Sequence, residues 1–126
     1  MDQRMMRLSL LALCCLAAAP QRGLASWYSV ESCSVNPDPC CPTASGHSLY
    51  DLEAAGSYFA ASWQAPLGSQ LRVCALEAPT RCVVVEILDR GPAKRLGRAI
   101  DLCKACFSLL ADPDEGIIPV TIERGP

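Results

Sequence analysis

The chain has 126 residues, 51% of them hydrophobic, with 11 basic and 13 acidic side chains and nine cysteines. That length allows one domain built on one modest core. A net charge of −2 supplies no basic patch of the kind nucleic acid requires, which argues against a nucleic-acid partner.

At the N-terminus, Arg4 and Arg7 precede an apolar run over residues 8–19, and small residues follow at Gly23 and Ala25. This order predicts a signal peptide over residues 1–25, cleaved before Ser26. The run falls short of the roughly 20 apolar residues that span a bilayer, so no stable membrane insertion is expected after cleavage. Its Cys-Cys-Leu-Ala-Ala-Ala stretch has no polar face, which argues against a buried N-terminal helix of the folded domain. Removal would leave one domain over 26–126 with 8 basic and 12 acidic residues, net −4.

Residues 26–30 read as a first strand. Residues 31–42, with three cysteines and three prolines, read as a stapled loop. Residues 57–62 and 70–76 read as strands around a turn at Pro66-Leu67-Gly68. The β-branched run at 81–88 reads as a strand buried on both faces, and Gly91-Pro92 forces the chain out of it. Asp89 therefore stands at the open end of a rigid strand, where a carboxylate can meet a ligand. A second acid, Asp101, sits in the short apolar context Ile100-Asp101-Leu102 and opens or precedes one short helix over 102–110. Asp112-Pro113-Asp114 ends that helix, and residues 117–123 form the closing strand. Many short strands and a single helix indicate a mainly β fold, a small closed barrel, since closure removes exposed edges.

Beyond the leader, seven cysteines remain: Cys33, Cys40, Cys41, Cys74, Cys82, Cys103 and Cys106. Such density in about 100 residues fits an exported domain stapled by disulfides. Cys74 and Cys82 lie symmetrically about Ala78-Pro79, which suits a bridge across a hairpin. The pairing of the other five does not follow from sequence, and an odd count implies a free thiol or an intermolecular bridge. Cys103-Lys104-Ala105-Cys106 is formally a CxxC. No second CxxC exists, and the lone His47 is not at a zinc-site spacing, so structural disulfides are favoured over metal or redox chemistry. No metal and no cofactor are expected.

Asp89-Arg90-Gly91-Pro92 followed by Gly97-Arg98-Ala99-Ile100-Asp101-Leu102 resembles the rare lipoprotein A group of double-psi β-barrel proteins. Further segments match in order: Ala25-Ser26-Trp27-Tyr28, Thr43-Ala44-Ser45-Gly46, Phe59-Ala60-Ala61 with Pro66-Leu67-Gly68-Ser69, and Gly116-Ile117-Ile118-Pro119-Val120. The resemblance implies a six-stranded double-psi barrel. It also raises lipidation at Cys14 or Cys15, which Leu13, standing where lipoprotein signals have a small residue, argues against. Nothing up to Pro126 resembles the peptidoglycan-binding repeat that the family often carries C-terminally.

Active members of that group are lytic transglycosylases, which cut peptidoglycan strands and leave a 1,6-anhydro ring instead of adding water. The resemblance implies that Asp89 is the general acid/base, with a pKa raised by apolar neighbours such as Val85 and Leu88. A purely structural Asp89 would instead cap the turn by bonding to the backbone of Gly91. Asp101 matches the second family acid, although aspartate before a helix is also a common N-cap. Arg90 is placed at the substrate face, chiefly as a brace for a carboxylate.

The family commonly has histidine after the Ala-Ala pair; here Ser62 stands there, and a hydroxyl carries no proton near neutral pH as imidazole does. The only histidine, His47, aligns with a different family position and could enter the site from its loop. Among Trp27, Tyr28, Tyr58 and Trp63, Trp27 and Tyr58 read as core aromatics. Trp63 is the better sugar-stacking face, with Tyr28 beside it.

The expected function is an exported, monomeric lytic transglycosylase acting on peptidoglycan glycan strands through Asp89, with Asp101 and Ser62 in support. Ser62 favours a second reading, an expansin-like wall-binding module that has lost turnover. A third, a cysteine-rich ligand for a protein receptor, rests on the 31–42 loop alone.

Overall fold

The computed structural model describes residues 19–35 and 41–126. Cys40, the apolar run over 8–18, Cys14 and Cys15 lie outside the described residues.

Six strands close into one barrel: β1 (Gln21–Tyr28), β2 (Phe59–Ala61), β3 (Gln70–Ala75), β4 (Cys82–Asp89), β5 (Ile100–Cys103) and β6 (Ile118–Arg124). The order around the barrel is β1-β5-β2-β4-β3-β6. β1 with β5 and β2 with β4 run parallel, and the remaining neighbours are antiparallel. The core is the inward set of alternating strand residues, including Val73, Val85, Ile87, Ile100, Leu102 and Val120, closed by Phe59 and Phe107. The expected small six-stranded barrel is present, in the double-psi form that the resemblance implied.

Three expectations are corrected. β1 begins at Gln21, not at 26, and its first five residues pair with β6 from Gln21↔Ile122 to Ala25↔Ile118. Gly23 permits this: a Cβ there would stand 2.6 Å from the Cβ of Ala99. Among the described residues two α-helices are present where one was expected. α1 (Leu49–Ala54) buries only Leu49 and Leu52, a pattern too short to announce a helical period. The other, α2 (Lys104–Ser108), starts after Asp101, so Asp101 is a strand residue and not an N-cap. The cap is Cys103, whose Sγ accepts from the amide of Cys106 at 3.2 Å.

Disulfides join Cys33 to Cys41, Cys74 to Cys82 and Cys103 to Cys106. The Cys74–Cys82 bridge links directly opposed residues of β3 and β4, as its position about Ala78-Pro79 suggested. Cys33–Cys41 staples the cysteine-rich loop, and Cys103–Cys106 lies buried where β5 passes into α2.

Candidate functional site

One row of residues crosses four adjacent strands. Asp89 of β4 is opposite Ala61 of β2, Ala61 is opposite Asp101 of β5, and Asp101 is opposite Ser26 of β1. The two acids thus flank the small side chain of Ala61 at the same level. A bulge sets the position of Asp89. The β2–β4 register steps from Ala60↔Ile87 to Ala61↔Asp89, passing over Leu88, and such irregularities re-aim a side chain. The carbonyl of Leu88 accepts instead from the Ser45 amide at 3.0 Å, which docks the 43–46 turn against the strand end.

That turn completes the surroundings of Asp89. Its Oδ1 accepts from the amides of Ala44 and Arg90, each at 2.9 Å, and its Oδ2 accepts from the Tyr28 hydroxyl at 3.3 Å. The Gly91 contact that a purely structural Asp89 would make is not among these three. Gly91 is needed for another reason, its φ of +149°, which few side-chain-bearing residues adopt.

Asp101 is half-buried, and Oδ1 accepts from the Ser26 hydroxyl at 3.0 Å. Burial pushes the Asp101 carboxyl above its ordinary range; the negative charge of Asp89 adds to this, while the Ser26 hydrogen bond and Arg98 oppose it. Burial, and after it the charges of Asp89 and Asp101, also push the Tyr28 phenol far up. Tyr28 therefore stays protonated and donates. Its ring stands edge-on to Phe59, centroids 5.9 Å apart.

Arg90 does not brace a carboxylate. Its Nη1 donates to the carbonyls of Ser62 at 2.8 Å and Ala65 at 2.6 Å, holding the segment after β2. Ser62 is only 2% exposed; its Oγ accepts from the Gln64 amide at 3.1 Å, and its own amide donates to the carbonyl of Asp89. Trp63 next to it is 50% exposed, fixed by its Nε1 donating to the carbonyl of Pro92 and flanked by the Lys94 ammonium at 5.1 Å from the ring centre. His47 is exposed on the turn that docks against Asp89, engaged through its carbonyl, which accepts from Thr43. Trp27 packs against the core with its Nε1 on the carbonyl of Pro113, whereas Tyr58 is exposed.

The structure thus brings together Asp89, Asp101 and Tyr28 and leaves Ser62 buried behind them. Sequence reasoning missed Ser26 and the amide of Ala44. Ser26 had a signal, since it shares a strand face with Tyr28 two residues on. A backbone donor has none. Among the described residues no group of three or more His, Cys, Asp or Glu side chains could hold a metal ion, and no helix is long and apolar enough to cross a membrane.

A closed double-psi barrel carrying two carboxylates on strands that flank one alanine defines a class of protein, and the sequence comparison narrows it. Residues 20–122 match the family model described as lytic transglycolase, and the chain belongs to that family. No curated protein matches the chain. Among solved structures, apo expansin from Clavibacter michiganensis superposes with a TM-score of 0.60 at 19% identity, over 86% of this chain and 51% of that one. A mutant of the same expansin in complex with cellohexaose gives 0.61 at 18% identity, with the same coverage. The Streptomyces papain inhibitor gives 0.58 at 20% identity over 83% of this chain and 93% of that one. The chain spans about half the length of the expansins, and at these identities the likeness is one of fold.

Proposed function

We propose that this protein is an exported lytic transglycosylase acting on the glycan strands of peptidoglycan. Family membership supports the reaction type, and the placement of Asp101 and Asp89 on either side of Ala61 carries the reading. Asp101, with its raised pKa, is suited to hold a proton and give it to the glycosidic oxygen as the C1–O bond breaks. Asp89, with three donors fixing its two oxygens, is suited to take the proton of the sugar's own 6-hydroxyl as that oxygen bonds to C1. One proton leaves Asp101 and one arrives at Asp89, no water is consumed, and the product ends in a 1,6-anhydro ring. The use of the sugar's own hydroxyl as nucleophile distinguishes this from the two-carboxylate hydrolase scheme, where water attacks. This division of labour gives Asp101 the acid's part, where the resemblance made Asp89 the general acid/base with Asp101 and Ser62 in support. Trp63 supplies the exposed aromatic face for a sugar ring. The three disulfides among the described residues support export, and a monomer is expected.

A second reading, a non-catalytic wall-binding module, is favoured by the burial of Ser62 in the position where the family commonly has histidine. The cellohexaose complex of the expansin shows that a barrel of this shape belongs to a protein that holds a glucan. The decisive measurement is mass spectrometry of purified peptidoglycan strands after incubation with the oxidised protein, beside Asp89→Asn and Asp101→Asn. Anhydro-ended fragments from the wild type alone are the expected result. Binding to the strands with no new ends in any sample would establish the module instead.

A further inference from the structure

A cavity of about 390 Å³ opens between the segment after β1, the end of α1 and the start of α2, and neither Asp89 nor Asp101 lines it. Its lining includes Val30, Glu53, Ser57, Phe59, Cys103 and Ala105. The volume lies in the range of small-ligand sites, about 300–1,000 Å³. Phe59 and Cys103 form a floor shared with the site: Phe59 packs against the Tyr28 ring, and Cys103 is opposite Tyr28 in the β1–β5 register.

Glu53 is the unusual member of the lining. It is half-buried, its Oε1 accepts from the Val30 amide at 3.0 Å, and among the described residues no lysine or arginine lies within ion-pair distance of it. The lysine of the cavity wall, Lys104, is engaged elsewhere, 4.0 Å from Glu31 and 4.9 Å from the centre of the Trp27 ring. One amide donor returns only part of the hydration that a carboxylate loses when it is drawn partly out of water, and no cation among the described residues supplies the remainder. A ligand cation in the cavity would return it. The apolar floor leaves room for the carbon skeleton that bears such a charge.

We propose that this cavity is a subsite for a primary ammonium group of the wall polymer, held by Glu53. The proposal rests on the wall-glycan reading for its substrate class. The amine has two sources, a de-N-acetylated sugar of the strand or a peptide branch bearing a free side-chain amine. Because the negative charge of Glu53 already reaches Tyr28, an ammonium bound there also acts on the tyrosine that holds Asp89.

The test is amide NMR of the full protein titrated with three probes: a glucosamine tetramer with free amines, the N-acetylated tetramer, and a lysine-bearing tripeptide without sugar. The expected result is shifts at Ser57, Ala105 and Ser108 with at least one amine probe, and which probe acts identifies the source. Glu53→Gln retains an oxygen for the Val30 amide and so preserves the fold. It should weaken that probe about fivefold while leaving the N-acetylated tetramer unchanged. Ala105→Tyr, which fills the cavity mouth, should abolish the same shifts. Undiminished amine binding in Glu53→Gln, or no shifts at these amides with either amine probe, would overturn the subsite. Binding of the N-acetylated tetramer alone would sink the subsite and leave the glycan reading standing. Binding of the tripeptide alone would support the subsite and count against the glycan reading.

Discussion

The hydroxyl of Tyr28 donates to Oδ2 of Asp89 across 3.3 Å, although β1 and β4 are separated in the barrel by both β5 and β2. The contact spans the row in which Asp101 and Ala61 lie. With Oδ1 held by the amides of Ala44 and Arg90, the phenol fixes the second oxygen and so the plane of the carboxylate. Three unconnected segments, the end of β1, the 43–46 turn and the end of β4, converge on one side chain.

Removing that phenol tests whether orientation matters to the reaction. Tyr28→Phe keeps the edge-on packing against Phe59 and deletes one donor to a charged group. Turnover should fall about tenfold, KM should change little, and stability should stay within about 1 kcal/mol of wild type. Steady-state kinetics on purified strands and a urea titration measure all three quantities. An unchanged turnover would remove Tyr28 from the machinery.

Asp101 makes a prediction in which activity and stability move in opposite directions. Its raised folded pKa means that the native state binds the proton more tightly than the unfolded chain does. Stability from this group is therefore greatest when the carboxyl is protonated in both states. It is lost as pH rises from the ordinary aspartate range through the raised value. Asp101→Asn removes that loss, and its amide oxygen still accepts from Ser26. At neutral pH the variant should be at least as stable as wild type and less steeply dependent on pH. Its turnover should fall by roughly 10²–10⁴-fold if Asp101 is the proton donor. The wild-type rate should decline on the alkaline side as Asp101 ionises, and a pH–rate profile alongside thermal melts checks both limbs.

Much of this arrangement was legible in the sequence, for identifiable reasons. The run ending at Asp89 announced its strand because apolar β-branched residues stop at Gly91-Pro92. The Cys74–Cys82 bridge followed from symmetry about a turn. The role of Asp101 was ambiguous because an aspartate shortly before a helix reads equally as strand end and cap. Only the pairing of Ala61 with Asp101 decides it. The bulge at Leu88 leaves no mark in the residues, since it is a property of how β2 and β4 are registered, with Ala60 opposite Ile87 and Ala61 opposite Asp89. The start of β1 was hidden by chemistry shared with a cleavage site: Gly23 and Ala25 are small because Ala99 and the core press on them, not only because a peptidase would prefer them.

Arg90 should act on the fold more than on the sugar. One guanidinium nitrogen joins the carbonyls of Ser62 and Ala65, and the segment between them carries Trp63. Arg90→Ala leaves two acceptors without a charged donor and should cost about 2–3 kcal/mol in unfolding free energy. Arg90→Lys, lacking the planar fork, should recover part of this at most. Tryptophan fluorescence gives the specific readout, because Trp63 loses its fixed setting while Trp27, held at Pro113, does not. A melt indistinguishable from wild type would show that the two carbonyls do not need the guanidinium.

The last prediction concerns where an exported form begins. Cleavage before Ser26 would delete the first five residues of β1, all of them paired with β6, and leave that edge of β6 without a partner. It would also remove Ala25, which is completely buried. An exported protein that keeps the closed barrel must therefore retain Gln21, and N-terminal sequencing of the secreted chain should find a start at or before that residue. Gly23→Val provides the independent check. The new side chain would meet the Cβ of Ala99 at a separation that cannot be accommodated without moving β1, and should destabilise the protein by about 2 kcal/mol. Were the mature chain to begin at Ser26, the same substitution would be cut away with the leader, and the secreted protein would melt as wild type does.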